Sequence, residues 1–284
     1  MIPAPFDYVR ATSIDDALAR LSGSDGAAKL IAGGQSLLPL MKLRLARPGG
    51  LIDIGRLSEL RGVHRRPDGR VSIGALTTYD SLLRDATILR YGLLSDVLPG
   101  IGDVQVRNVG TIGGAIAHAD PASDLPATML ALDAEIIVIS VRGERCLPIS
   151  SFFQGPFETA LAHDELITEI RLPAGRDDVG SAYHSIAQPA SGYAIAGAAV
   201  VLGGRTASGW DTCAVGITGV GDQPYRASAV ESGVLAGASF GEAAARATDG
   251  IRVASDIHAD REYRAHLAAV QVRRALEAAA ARLG

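Results

Sequence analysis

The sequence predicts a mixed α+β protein built of more than one lobe, and three observations carry that prediction. Short apolar stretches of strand length alternate with helical apolar stripes through the first half of the chain. Two glycine-rich stretches, Gly33-Gly34-Gln35-Ser36 and Gly110-Thr111-Ile112-Gly113-Gly114, each stand close to a buried-strand pattern. The turn-forming run from Pro173 to Gly180 (PAGRDDVG) then reads as a linker before the remainder. With 284 residues, 48% of them hydrophobic, the chain can bury a sizeable core in one large domain or in two to three lobes.

Taken in order, Phe6 to Val9 is apolar enough for a strand. Ser13 occupies an N-cap position ahead of Ile14, Ala17, Leu18 and Leu21, which fall on one helical face. Lys29 to Ala32 is a short buried strand that runs into the first glycine pair, Leu37 to Leu45 a helix, and Leu51 to Ile54 a strand. Val71 to Ala75 is a further strand, and Thr78 caps a helix through Leu83. Beyond the second glycine stretch, Leu125 to Leu132 has helical spacing, and Glu135 to Val141 and Leu166 to Leu172 are strands. After the linker come strands at Tyr193 to Leu202 and Asp211 to Ile217. A long helix closes the chain from about Asp260 to Leu283, with Leu267, Val270 and Leu276 on its apolar side.

Composition removes several classes of function. A net charge of −4 lacks the basic field that nucleic acid requires. No apolar run approaches the roughly 20 residues of a membrane span, and the opening MIPAPFDYVR has no signal-peptide core, so the expected location is the cytoplasm. Cys146 and Cys213 are too few and too far apart for an iron–sulfur cluster or a disulfide framework. There is no G-x-G-x-x-G, no P-loop lysine and no nucleophile elbow.

What remains is the pair of glycine stretches. Adjacent glycines let successive backbone N–H groups turn toward one point and hold phosphate oxygens, and a Ser or Thr hydroxyl adds a donor. Two such stretches facing each other would grip a pyrophosphate without a cationic side chain. Each, taken singly, is equally compatible with an ordinary tight turn. His118, Asp120 and Asp124 form a second polar group, open to three readings. They are a metal site lacking further ligands, or Asp120 and Asp124 cap the helix at Leu125, or Asp124 accepts hydrogen bonds from a sugar hydroxyl. Tyr193 is either core or a flat surface for an aromatic cofactor.

The chain resembles the FAD-binding medium subunits of aerobic carbon monoxide dehydrogenase and their relatives in the xanthine oxidase family of molybdenum hydroxylases. The resemblance runs almost end to end. It is carried by the opening MIPAPFDYVRATSIDDALARL, by AGGQSLLPLMKLR (Ala32 to Arg44) and by VRNVGTIGGAIAHADPASDLPA (Val106 to Ala127). FETALAHDELITEIRLP (Phe157 to Pro173) and the closing YRAHLAAVQVRRALEAA extend it. It implies a two-lobed FAD-binding domain of the vanillyl-alcohol oxidase-like type over residues 1–175, with lobes of about 1–54 and 55–175. A smaller C-terminal α+β domain with antiparallel sheet would follow over 178–284.

By matching position, Ala32, Gly33, Gly34, Gln35 and Ser36 would wrap the FAD pyrophosphate together with Thr111, Ile112, Gly113, Gly114 and Ala115. Leu30, Ile31 and Leu37 would flank the first loop and Ile101 would neighbour the cofactor. Asp124 would touch the adenosine portion, and Tyr193 would shield the isoalloxazine. Ala115 stands where relatives commonly carry Asn, and Tyr183 to Tyr193 lacks the lysine and aspartate that many relatives place near the flavin. No catalytic or metal-ligating residue is expected in this chain.

The implied activity is electron transfer, since a flavin carries its own chemistry and the protein sets its position and electronics. Electrons from 2Fe–2S clusters of a small partner subunit would pass through FAD to an external acceptor, after substrate oxidation in a large molybdenum-cofactor subunit. The complex would be a dimer of heterotrimers, cytoplasmic or held at the inner face of the membrane through its partners. A self-contained flavin oxidoreductase of a related FAD fold is the alternative. With no Cys or His positioned for attachment, FAD is expected to be held without a covalent link. A Cβ at Gly33 or Gly113 is expected to obstruct the phosphates and to spare the fold.

Overall fold

Among the described residues, three sheets of three or more strands, each with its own apolar core, divide the chain between them in order. The structure is a computed structural model that describes residues 2–206 and 209–283, so Met1 and Gly284, the ends of the two expected domains, lie outside it.

The first lobe contains β1 (Asp7–Arg10), α1 (Ile14–Gly23), β2 (Ala28–Ile31), α2 (Leu37–Lys42) and β3 (Gly50–Asp53). Both β1 and β2 pair in parallel with the central β3. Ser13 accepts from the Asp16 N–H at 3.1 Å, and Asp15 and Asp16 complement the positive end of the α1 dipole. Ala17, Leu18 and Leu21 then bury against Ile52 and Ile54. The helix expected to reach Leu45 stops at Lys42 because Arg44 turns into the left-handed region (φ 60°). There the N–H groups of Leu45 and Ala46 fold back to the Leu40 carbonyl.

The second lobe is antiparallel. Its strands β4 (Val63–Arg65), β5 (Val71–Gly74), β6 (Glu135–Ser140), β7 (Gly143–Pro148) and β10 (Leu166–Leu172) form one sheet in the order β4-β5-β10-β6-β7, and β8 (Phe153–Gly155) with β9 (Glu158–Thr159) form a separate hairpin. Between β5 and β6 lie α3 (Tyr79–Leu83), α4 (Gly92–Val97), α5 (Val104–Val109), α6 (Ile112–His118) and α7 (Asp124–Ala131). Thr78 caps α3 as its position predicts, accepting from the Ser81 N–H at 3.2 Å. The short helices α4, α5 and α6 carry too little periodicity to be read from sequence. α7 is buried from Leu125 to Ala131, wedged between the second-lobe core and the C-terminal sheet.

That last sheet contains β11 (Val179–Ala187), β12 (Ala194–Thr206), β13 (Gly209–Thr218) and β14 (Tyr225–Arg226), antiparallel and in sequence order. α8 (Ser228–Leu235), α9 (Phe240–Ala244) and α10 (Arg261–Ala281) pack against it. Asp260 caps α10 by accepting from the Tyr263 N–H at 2.8 Å, and Leu267, Val272, Leu276 and Ala279 are buried under the sheet.

Polar contacts dock this sheet on α7. Thr218 Oγ1 lies 2.8 Å from the carbonyls of both Pro121 and Ser123. Arg226 donates to the Leu130 carbonyl at 3.0 Å and pairs with Asp133 and Glu231. Tyr193, expected to open a strand, instead ends the Gln188–Tyr193 turn between β11 and β12. Gln188 Oε1 accepts there from the N–H groups of Ala190 and Ser191. Among the described residues no helix is long and apolar enough to cross a membrane.

Candidate functional site: a cleft between the first two lobes

The two glycine stretches, more than seventy residues apart in sequence, meet at one cavity of about 640 Å³, within the usual ~300–1,000 Å³ range of ligand pockets. Leu30, Ile31, Ala32, Gly33, Gly34, Gln35, Ser36 and Leu37 line it from the first lobe, and Thr111, Gly113, Gly114 and Ala115 from the second.

The first stretch is an open nest. β2 ends at Ile31, Gly34 takes φ +69°, and α2 begins at Leu37 without a side-chain cap from Ser36. Among the described residues, the N–H groups of Gly33, Gly34, Gln35, Ser36 and Leu37 have no protein acceptor. Five consecutive donors without a partner beside a cavity suit an anion with several oxygens.

The second stretch differs from the expectation of a matching nest. α5, capped by Asp103 on the Val106 N–H (2.8 Å), runs through Gly110 into Thr111, which caps α6. Ile112 donates to the Thr77 carbonyl, Gly113 to that of Ala75 and Ala115 to that of Thr111. The Gly114 N–H donates to Thr111 Oγ1 at 3.2 Å. These donors hold the stretch against β5 and α3, so it offers the cavity a close-packed wall.

Of the other expected residues, Ile112 points into the second-lobe core and Ile101 packs against that core, neither at the cavity wall. Asp124 lies off the lining and accepts a short hydrogen bond from the Tyr183 hydroxyl of β11. Burial pushes its carboxyl up to about 6, against the downward pull of that hydrogen bond. Tyr193 is 43% exposed. Burial, with Asp120 and Asp124 nearby, raises its phenol, and it in turn adds to the upward push on Tyr79, a cavity residue.

The caps expected for α7 are corrected. Asp120 holds the turn before it by accepting from the Ala122 N–H at 2.9 Å, Asp124 turns to Tyr183, and the N-cap Ser123 makes no side-chain bond. Among the described residues no group of three or more His, Cys, Asp and Glu is placed to hold a metal.

Sequence reasoning missed much of the lining. Ala75, Leu76 and Tyr79 come from the β5–α3 corner, and Ala117 and His118 from α6. Gln154, Phe157, Glu158 and Thr159 come from the β8–β9 hairpin, and Leu161, Ala162 and His163 from the segment after it. Only the family likeness of Phe157 to Pro173 hinted at that last group. Lys29 is the one Lys or Arg in the lining, so backbone dipoles, rather than side-chain charge, would hold an anion there.

A cleft between a parallel and an antiparallel lobe, with an open backbone nest and no Rossmann or Walker sequence, suits a phosphate-bearing ligand. Comparison with known proteins makes the class a flavoprotein subunit of an oxidoreductase. Residues 4–175 match the family described as the FAD binding domain in molybdopterin dehydrogenase, and residues 181–279 match the CO dehydrogenase flavoprotein C-terminal domain. The chain is 39% identical to the carbon monoxide dehydrogenase medium chain of Hydrogenophaga pseudoflava, over 99% of both chains. It is 43% identical to the glyceraldehyde dehydrogenase medium chain of Sulfolobus acidocaldarius over 83% of each. The solved carbon monoxide dehydrogenase of H. pseudoflava superimposes with a TM-score of 0.96, at 38% identity and over 100% of both chains. The chain belongs to the carbon monoxide dehydrogenase medium-chain family of FAD-binding subunits, and its cofactor is FAD.

His118 and His163 both line the cavity. Burial holds the His118 imidazolium below its usual range, with Asp120 pulling the other way. Acid precipitation of the flavin-loaded chain is expected to release FAD, not FMN, at one per chain. Flavin left on the pellet, or release of FMN, would overturn the non-covalent expectation.

Proposed function

We propose that the chain is the electron-transfer subunit of a molybdenum-containing hydroxylase, taking electrons from 2Fe–2S clusters of a small partner chain and delivering them to an external acceptor. Bound FAD supplies the redox chemistry. The observation that carries the reading is the run of five unpartnered N–H groups, Gly33 to Leu37, at a cavity that both glycine stretches share. These groups would hold the pyrophosphate, and Thr111, Gly113, Gly114 and Ala115 would form the opposite wall. Leu30 and Ile31 line the cleft beside them. Ile101, Ile112, Asp124 and Tyr193 stand behind or beside the lining, and the family likeness assigns them to the cofactor's surroundings.

The same reading divides the chain into an FAD-binding domain over 1–175 and a flavoprotein domain over 178–284. It assembles the chain with a large molybdenum subunit and a small iron–sulfur subunit, as paired three-chain units in the cytoplasm or at the inner face of the membrane. Closed pairs are the common habit of soluble oligomers.

The test is reconstitution. The purified chain is expected to bind FAD and to accept electrons from dithionite, yet to oxidise neither carbon monoxide nor an N-heterocycle. Turnover should appear on adding the two partner chains, in an assembly whose mass by light scattering is two heterotrimers. Substrate oxidation by the lone chain would overturn the electron-relay reading in favour of a self-contained oxidoreductase.

A further inference from the structure

The two-residue turn of the β8–β9 hairpin, Pro156-Phe157 between the paired Gly155 and Glu158, carries an aromatic ring at its second position. The hairpin's root is anchored in the second-lobe core by Phe152 and Phe153, whose rings meet edge to face at 5.4 Å. Phe152 accepts the Ala160 N–H through its carbonyl at 2.8 Å. Its tip is Phe157, 55% exposed, with a backbone φ of +58°. Glycine adopts that conformation freely, and a bulky aromatic residue adopts it rarely. A turn that starts with Pro calls for that positive φ at its second residue, so the backbone is explained by the turn, whereas a large apolar ring left open to solvent is not.

The ring faces the cleft. Phe157 lines it, and so does His118, whose ring stands 5.2 Å from the Phe157 ring at an interplanar angle of 43°. The two rings come from different elements, the hairpin tip and the last residue of α6. Both belong to the cavity that contains the Gly33–Leu37 nest.

We propose that Phe157, backed by His118, is a stacking platform for one flat ring of the bound dinucleotide, held at the mouth of the cleft by the hairpin turn. The inference rests on FAD as the occupant. It adds a binding residue to the one nest that is open, and it explains how a cleft with little positive charge would retain a dianionic ligand. A ring stacked on an aromatic side chain contributes affinity independently of phosphate contacts. Both the adenine and the isoalloxazine offer such a face, and the two are separable by experiment.

The informative variant is Phe157→Gly, which removes the ring while suiting the φ of +58°. Phe157→Tyr keeps a ring. Titration of the apo full-length chain with FAD should show the dissociation constant rising roughly ten- to hundredfold in Phe157→Gly and little in Phe157→Tyr. The apo melting temperature should be unchanged or higher in Phe157→Gly. Titration with ADP and with FMN identifies the stacked ring. Weakened ADP binding with unchanged FMN assigns adenine. Weakened FMN binding, with brighter fluorescence of the bound flavin, assigns the isoalloxazine.

Unchanged affinity for all three ligands in Phe157→Gly would overturn the proposal. So would a marked fall in the apo melting temperature, because the ring would then be supporting the hairpin. Failure of the unaltered chain to bind FAD would instead strike the cofactor assignment itself.

Discussion

Gly33→Ala is expected to abolish FAD retention and to lower the stability of the apo-protein, although it adds a single methyl group. A Cβ at this position would lie 2.3 Å from the Val109 carbonyl oxygen, 2.9 Å from its carbon and 3.0 Å from Gly110 Cα. All three are backbone atoms at the junction of α5 with the second glycine stretch, so no side chain can rotate out of the way. The two stretches touch directly at Gly33, and the methyl must force them apart. Overpacking of this kind costs about 1–3 kcal/mol, and it falls on the contact that sets the width of the cleft.

Gly113 behaves alike, its Cβ meeting Ala75 Cβ at 2.5 Å and the Ala75 carbonyl oxygen at 2.7 Å. The expectation that such substitutions obstruct phosphate and spare the fold is therefore corrected, since the collision is with the protein itself. Gly49→Ala is the control, because its Cβ would find the Ala27 carbonyl oxygen at an ordinary 3.5 Å. Flavin absorbance per chain and apo-protein melting curves read both effects. Full flavin content in Gly33→Ala would refute the close approach.

The second large effect concerns Asp124. Its carboxyl is pushed up from 3.8 to about 6 by burial, so the folded state favours the neutral acid. The residue as a whole is half-buried, and its carboxyl accepts from the Tyr183 hydroxyl. A raised acid pKa contributes stability that is fully present below the unfolded value near 4. That contribution is lost as pH climbs through about 6.

Asp124 alone should make the apo-protein less stable at pH 8 than at pH 4 by on the order of 1–3 kcal/mol. Asp124→Asn keeps an acceptor for the Tyr183 hydroxyl and removes the charge. It should melt several degrees above the unaltered protein at pH 8 and close to it at pH 4, since about 1 kcal/mol shifts a chain of this size by ~2–4 °C. Taking the difference between the two proteins removes the titration of all other groups. A constant difference between pH 4 and pH 8, or a less stable Asn variant at pH 8, would show that the carboxyl is not enclosed.

Much was readable from the sequence where the signal is local. Ser13 before an amphipathic stripe and Thr78 before Tyr79 each named a cap that the structure contains, because a capping side chain needs only the next few N–H groups. β10, from Leu166 to Leu172, falls where its apolar run and closing Pro173 put it. The two glycine stretches also stood out as a pair, although either alone reads as an ordinary tight turn.

What the sequence could not decide is which backbone donors remain free. Gly33-Gly34 and Gly113-Gly114 look alike in one dimension. Only the packing of α6 on the β5–α3 corner shows that the second set is consumed within the protein while the first is left for a ligand. The same holds for Asp124, a helix-start residue by position, whose partner Tyr183 lies 59 residues away on another sheet. It holds also for Phe157, whose exposure carries no sequence signature. Sequence determines which residues are able to cap, turn or bind. Long-range packing decides which of them have already spent that capacity on the fold, because a hydrogen-bond donor or an aromatic face can serve a ligand only if no other part of the chain has claimed it.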